Sequence, residues 1–215
     1  LGCSPPDLPA NVVLSTCAIP IGYFVLAAAR VGDVDRDGFD DIVVGRSADP
    51  GALVGGLASV YSLRTGKEVL RLHTDPASDF RFEVAAFAGD VDADGWPDVL
   101  LADSSDPDEG KAGRVWLHSG RDGRLLRTWY GDSSTAWLSA SVGTVGDVDG
   151  DGASDLWMHA PELFVSPSDD STQCTGPGRV RVHSGRTGDE LYTILGLANG
   201  DALGETVAVG DDWDG

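Results

Sequence analysis

The sequence predicts an all-β chain of tandem four-stranded antiparallel units, on three observations. An acidic loop of fixed form starts at positions 33, 90 and 147, so two consecutive spacings are both 57 residues. Between the loops, short runs of Val, Leu, Ile and aromatic residues alternate with polar ones, divided by Gly-rich turns. Nothing in the repeat has the length and period of an amphipathic helix.

The loops come first because they set the register. Asp147-Val-Asp-Gly-Asp-Gly-Ala-Ser-Asp155 puts Asp147, Asp149, Asp151 and Asp155 at positions 1, 3, 5 and 9, with Gly152 at position 6. The same spacing places Asp33, Asp35, Asp37 and Asp41 around Gly38, and Asp90, Asp92, Asp94 and Asp98 around Gly95. Four carboxylates on so short a loop repel one another unless a cation sits among them. Hard oxygen ligands at alternate positions suit Ca²⁺, and the glycine lets the chain turn so that later ligands face the same ion. Position 7 would add a backbone carbonyl, from Phe39, Trp96 and Ala153. A solvated acidic turn would not explain why the odd positions are always Asp and position 6 always Gly. The expectation is three complete Ca²⁺ sites. Asp212 and Asp214 begin a fourth, partial one.

The remaining elements follow from each loop. After it comes a short apolar run: Asp41-Ile-Val-Val-Gly45, Asp98-Val-Leu-Leu-Ala102 and Asp155-Leu-Trp-Met-His159. An alternating segment then ends in a turn glycine, at Gly66, Gly123 and Gly188. A further strand follows, 68–72, 124–128 and 190–194, and an apolar segment such as Val84-Ala-Ala-Phe-Ala88 leads into the next loop. From turn glycine to the next loop start is 24 residues each time, whereas from loop start to turn glycine is 33, 33 and then 41. The third unit therefore carries eight extra residues within 161–177, Cys174 among them. A neutral insertion is the favoured reading, with a binding loop as the alternative.

The same ruler predicts 1–22 as an N-terminal segment holding a last-strand remnant and full units at 23–79, 80–136 and 137–201, the last with the insertion. Residues 202–215 then start a fourth unit. The simplest expectation is a piece of a longer repeat protein; the alternative is that incomplete ends meet, within one chain or between chains.

Net charge is −20 from 35 acidic and 15 basic side chains, and 12 of the acids are loop aspartates. Bound Ca²⁺ would relieve this self-repulsion and so stabilise the fold. Nucleic acid is excluded as a partner, since phosphates need a basic surface. No apolar run is long enough for a membrane span. Leu1-Gly-Cys3 has a faint likeness to the end of a bacterial lipoprotein signal, without the apolar region that precedes one. Cys3, Cys17 and Cys174 permit at most one intrachain disulfide. A Cys3–Cys17 clip, a Cys174 link to another chain and three free thiols all stay open.

Taken together, these units resemble the FG-GAP repeat, the blade of the integrin alpha-chain type β-propeller, over about residues 10–215. The Asp-x-Asp-x-Asp-Gly-x-x-Asp loop carries the likeness. The name-giving elements are blurred, with Phe82-Glu83 and Leu203-Gly204 for Phe-Gly, and Gly45-Arg46-Ser47, Ala102-Asp103-Ser104 and His159-Ala160-Pro161 for Gly-Ala-Pro. The resemblance implies four-stranded propeller blades with the Ca²⁺ loop between first and second strands.

Catalytic machinery is not evident. His118 and His183 share one repeat position, which reads as structural, and His73 and His159 have no nameable partner. No Ser-His-Asp set, phosphate loop or Cys/His cluster stands out. Trp116, Trp129, Trp137 and Trp157 read as packing residues. The favoured function is a non-enzymatic, extracellular or cell-surface Ca²⁺-binding module for adhesion, surface or matrix structure. Its expected partners are its own copies, joined through the incomplete ends as far as a filament, or another extracellular protein. The alternative is a propeller that binds or cleaves carbohydrate.

Overall fold

The computed structural model describes residues 25–46, 57–73, 84–103, 113–131, 141–160, 163–165, 172–174, 176–199, 201, 203, 204 and 207–209. They form an all-β structure of fourteen strands, and no helix occurs among them.

The first sheet holds β1 (Val25–Gly32), β2 (Asp41–Arg46), β3 (Leu57–Ser62) and β4 (Glu68–His73), side by side in chain order. The second repeats it with β5 (Val84–Gly89), β6 (Asp98–Asp103), β7 (Arg114–His118) and β8 (Leu125–Tyr130). The third comprises β9 (Val142–Gly146), β10 (Asp155–Ala160), β13 (Arg179–His183) and β14 (Glu190–Leu195). All pairings are antiparallel. The 161–177 insertion contains a separate hairpin of β11 (Leu163–Val165) and β12 (Thr172–Cys174), a feature that the spacing did not reveal. Its register places Leu163 opposite Cys174.

Strand position explains residue choice. The second strands lie mid-sheet, and every residue of β6 and β10 is buried. That is why they read as continuous apolar runs rather than alternating ones. The fourth strands are edges, and β14 leaves Tyr192, Ile194 and Leu195 exposed.

The core lies between sheets. Val31, Val43, Ala58, Val60 and Leu72 of the first sheet meet Val99, Leu101 and Trp116 of the second. One repeat later, Ala88, Leu100, Val115 and Leu117 meet Val142, Leu156, Met158 and Ala160 of the third. Val43, Leu100 and Trp157 hold one repeat position, as do Val60, Leu117 and Val182, so one packing scheme recurs. Burying a leucine such as Leu100 in full contributes about 2 kcal/mol. Trp116 and Trp157 are buried and Trp129 half-buried against this core, the packing role expected of them. Trp137 lies outside the described residues. Among the described residues, the three sheets form an open row rather than a closed ring.

Candidate metal centres

Each acidic loop joins the first strand of a sheet to the second: 33–40 between β1 and β2, 90–97 between β5 and β6, 147–154 between β9 and β10. The three loops share one hydrogen-bond plan. The position-1 carboxylate takes an N–H on each oxygen. Asp33 accepts from Asp37 at 2.9 Å and from Gly38 at 2.9 Å. Asp90 accepts from Asp94 at 3.0 Å and from Gly95 at 2.8 Å. Asp147 accepts from Asp151 at 3.0 Å and from Gly152 at 2.9 Å. The position-5 carboxylate accepts the N–H of position 7: Phe39 to Asp37 at 3.0 Å, Trp96 to Asp94 at 3.0 Å and Ala153 to Asp151 at 2.9 Å.

Such wrapping needs two left-handed residues per loop. Position 6 is Gly38, Gly95 or Gly152, at φ of 89°, 85° and 88°. Position 4 is also left-handed, as Arg36 (φ 60°), Ala93 (φ 57°) and Gly150 (φ 78°). Two of these pay the Cβ penalty that glycine avoids.

The position-9 aspartates are buried and turned to the backbone. Oδ2 of Asp41, Asp98 and Asp155 accepts the N–H of Val34, Val91 and Val148, each at 2.8 Å. Oδ1 of Asp98 accepts from Gly120, and Oδ1 of Asp155 from Gly185, both at 3.0 Å. In the first sheet Leu63 holds the glycine's repeat position, and Asp41 Oδ1 is buried without a hydrogen-bond partner. Burial pushes the Asp98 carboxyl up to about 7, although its Gly120 and Val91 donors oppose the shift. It raises Asp41 too, against the donors Val34 and Asp35. Asp92 is raised by burial first, then by the Asp94 charge, with Arg124 opposing.

Three carboxylates in each loop bring one oxygen apiece within 4.8 Å of one another: Asp33, Asp35 and Asp37; Asp90, Asp92 and Asp94; Asp147, Asp149 and Asp155. Asp41, Asp98 and Asp151 stand outside these tight sets. Asp212 and Asp214 lie outside the described residues. The donor sets fit a hard cation. All the side-chain donors are carboxylate oxygens, and Asp94 Oδ2 is buried with no hydrogen-bond partner, which an ion would supply.

Arginines also bear on the loops. Arg64, Arg121 and Arg186 each stand two residues before a turn glycine. Arg64 donates to the Asp37 carbonyl at 2.8 Å and Arg186 to the Asp151 carbonyl at 2.7 Å. Arg121 Nη1 lies 3.8 Å from Asp94 Oδ2. Their constant place in the repeat was the sequence signal for them. Arg36 reaches from the first loop to the second, donating to the Gly95 carbonyl with its guanidinium carbon 3.2 Å from the Trp96 ring centre. No sequence pattern announced that contact.

His118 and His183 sit within 3.2 Å of the Gly123 and Gly188 carbonyls through Nδ1, closing the turns of their sheets. Burial lowers His118 to about 4 and lowers His183 as well. A neutral histidine that ties a turn is structural.

A Bacillus licheniformis rhamnogalacturonan lyase has a similar structure, with a TM-score of 0.49 and 16% identity over 85% of this chain and 35% of that one. The chain thus spans about a third of that protein's length. Residues 90–158 match the model of the FG-GAP-like repeat, from the second loop into β10. The same loop and four-stranded sheet occur before and after that stretch, so the matched repeat recurs along the described chain.

Proposed function

We propose that the three described loops each hold one Ca²⁺ and that the chain is a non-enzymatic, propeller-type repeat module acting outside the cell in adhesion, surface or matrix structure. The observation that carries this is the threefold recurrence of one loop geometry, with three carboxylates converging each time. Asp33, Asp35 and Asp37 would hold the first ion, Asp90, Asp92 and Asp94 the second, and Asp147, Asp149 and Asp155 the third. Carbonyls of Phe39, Trp96 and Ala153 would complete the shells. Asp41 and Asp98 act mainly by fixing the loop backbone. A cation so enclosed serves as a staple rather than an open catalytic centre.

An extracellular setting fits the proposal because loops of ordinary affinity fill where Ca²⁺ is plentiful. No helix among the described residues is long and apolar enough to cross a membrane. The module would meet its own copies or another extracellular protein through sheet edges and faces such as the exposed β14.

The test is equilibrium dialysis against Ca²⁺, with circular dichroism melting before and after chelation. The expected result is saturable binding at the loops and a melting temperature that drops on chelation. Asp149→Ala should lower the stoichiometry by one. Unchanged stoichiometry and melting would refute the assignment of the third loop. Retention on a glycan column, with a carboxylate whose loss ends turnover, would instead favour a carbohydrate-active propeller.

A further inference from the structure

The three loops are not electrically alike, and the difference lies at one position of the repeat. Arg124 Nη2 lies 2.8 Å from Asp92 Oδ2, so a guanidinium already holds the position-3 carboxylate of the second loop. Arg124 Nη1 is 3.2 Å from Asp122, which orients the side chain from its own turn. The same repeat position is Lys67 in the first sheet and Asp189 in the third. Among the described residues, no ion pair reaches Asp35 or Asp149. Arg121 adds a second cation 3.8 Å from Asp94, and the stacked Arg36 adds a third beside Trp96. The first loop has no ion pair to Asp33, Asp35 or Asp37 among the described residues, and the third has one, from Arg186 to Asp151 at 3.3 Å.

We infer that Arg124 is a built-in counter-cation that makes the second loop the weakest of the three for a divalent ion. This rests on the Ca²⁺ reading of the loops. A metal entering the second loop must displace the guanidinium from Asp92 or share the carboxylate with it, and it meets like charge from Arg121 and Arg36. The first cost does not arise at Asp35 or Asp149; Arg64 and Arg186 bear on those loops as Arg121 does on the second, so Arg124 and Arg36 make the difference. The inequality gives the module a graded response, in which the first and third loops fill before the second as the cation rises. Because Arg124 is about half exposed, its effect is that of a surface pair, about five-fold in affinity.

The second loop carries its own reporter. Trp96 occupies position 7, where the other described loops have Phe39 and Ala153, so Trp96 would sensitise Tb³⁺ bound beside it. The experiment is a Tb³⁺ titration of the full chain, followed by Ca²⁺ displacement, on wild type, Trp96→Phe, Arg124→Gln and Arg124→Asp. The aspartate variant is compatible with the turn, because Asp189 stands at that place in the third sheet. The luminescence lost in Trp96→Phe defines the second loop. Its wild-type midpoint should follow the calorimetric binding of the first two ions. Arg124→Gln should move that midpoint about five-fold lower in concentration, and Arg124→Asp further still. An unmoved or raised midpoint in both variants, or a second loop that fills first, overturns the inference while leaving metal binding standing. Absence of any Trp96-dependent signal displaced by Ca²⁺ overturns both this inference and the calcium reading of the second loop.

Discussion

Gly120→Ala should be among the most damaging single-methyl additions in the chain. Gly120 begins the β7–β8 turn, and its N–H caps Asp98 Oδ1 at 3.0 Å. A Cβ there would lie 1.7 Å from the Pro97 carbonyl oxygen. Both partners are backbone, so relief requires the turn to move away from the loop, which breaks the N–H bond to a fully buried carboxylate. The forced shift costs about 1–3 kcal/mol, and orphaning the oxygen costs about 1–3 kcal/mol more. About 4 kcal/mol in total is expected. Gly185 repeats the geometry, with its Cβ 1.9 Å from the Ser154 carbonyl oxygen and its N–H on Asp155. The first sheet supplies the control. Leu63 already occupies this position, is 39% exposed, and leaves Asp41 Oδ1 without a partner. Leu63→Ala should therefore be nearly neutral. Urea unfolding of the three variants, in Ca²⁺ and in chelator, measures the differences. A Gly120→Ala loss below about 0.5 kcal/mol, or a Leu63→Ala loss as large as that of Gly120→Ala, would refute the close-contact argument.

Two more predictions follow from the loops and turns. Ala93→Gly should stabilise the chain by about 1 kcal/mol, because Ala93 is left-handed at φ 57° in a place that Gly150 fills in the third loop; unfolding in denaturant checks it, and a loss of stability would contradict the strain reading. The buried His118 is neutral in the folded state down to about pH 4, whereas the unfolded chain protonates near the ordinary histidine value of 6.5. The unfolded state thus binds more protons in that window, and His118 removes stability as pH falls from 6.5 towards 4. Asp98, raised to about 7, works the other way between the ordinary aspartate value of 3.8 and 7, since there the folded state holds the extra proton. His118→Phe in metal-free protein should therefore gain on wild type as pH falls through the histidine window. A stability difference that stays constant from pH 7 to pH 4 would rule out the buried neutral imidazole.

The loops were legible because their four aspartates lie within nine residues and the spacing recurs. The strands were legible for the same reason: a period-two pattern with turn glycines is local information. Division of labour inside the loops was not. Sequence spacing makes Asp41, Asp98 and Asp155 look like equal fourth ligands. The structure turns them to the N–H groups of Val34, Val91 and Val148, and only Asp155 also joins a close carboxylate set. The register of β1–β2, β5–β6 and β9–β10 also shifts where each first strand enters its loop, a local irregularity that residue spacing does not reveal. The Arg36–Trp96 stack and the Arg124–Asp92 pair were hidden too, since they join residues 60 and 32 positions apart. The β11–β12 hairpin escaped because its strands are only three residues each.

These contacts change what the loops are for. Were each loop only a staple inside its own sheet, near-neighbour energetics would confine any damage to one unit. The second loop is bound on three sides. Its own β7–β8 turn holds it through Gly120, the first loop reaches it through Arg36, and Ser154 of the third loop donates its N–H to the Asp90 carbonyl at 3.0 Å. Asp90 is also the position-1 residue whose two oxygens order the second loop. Disturbing the third loop therefore pulls on the residue that organises the second. The loops are joints between sheets as much as clasps within them, and the second loop stands at the middle joint, where protein contacts already do part of the holding.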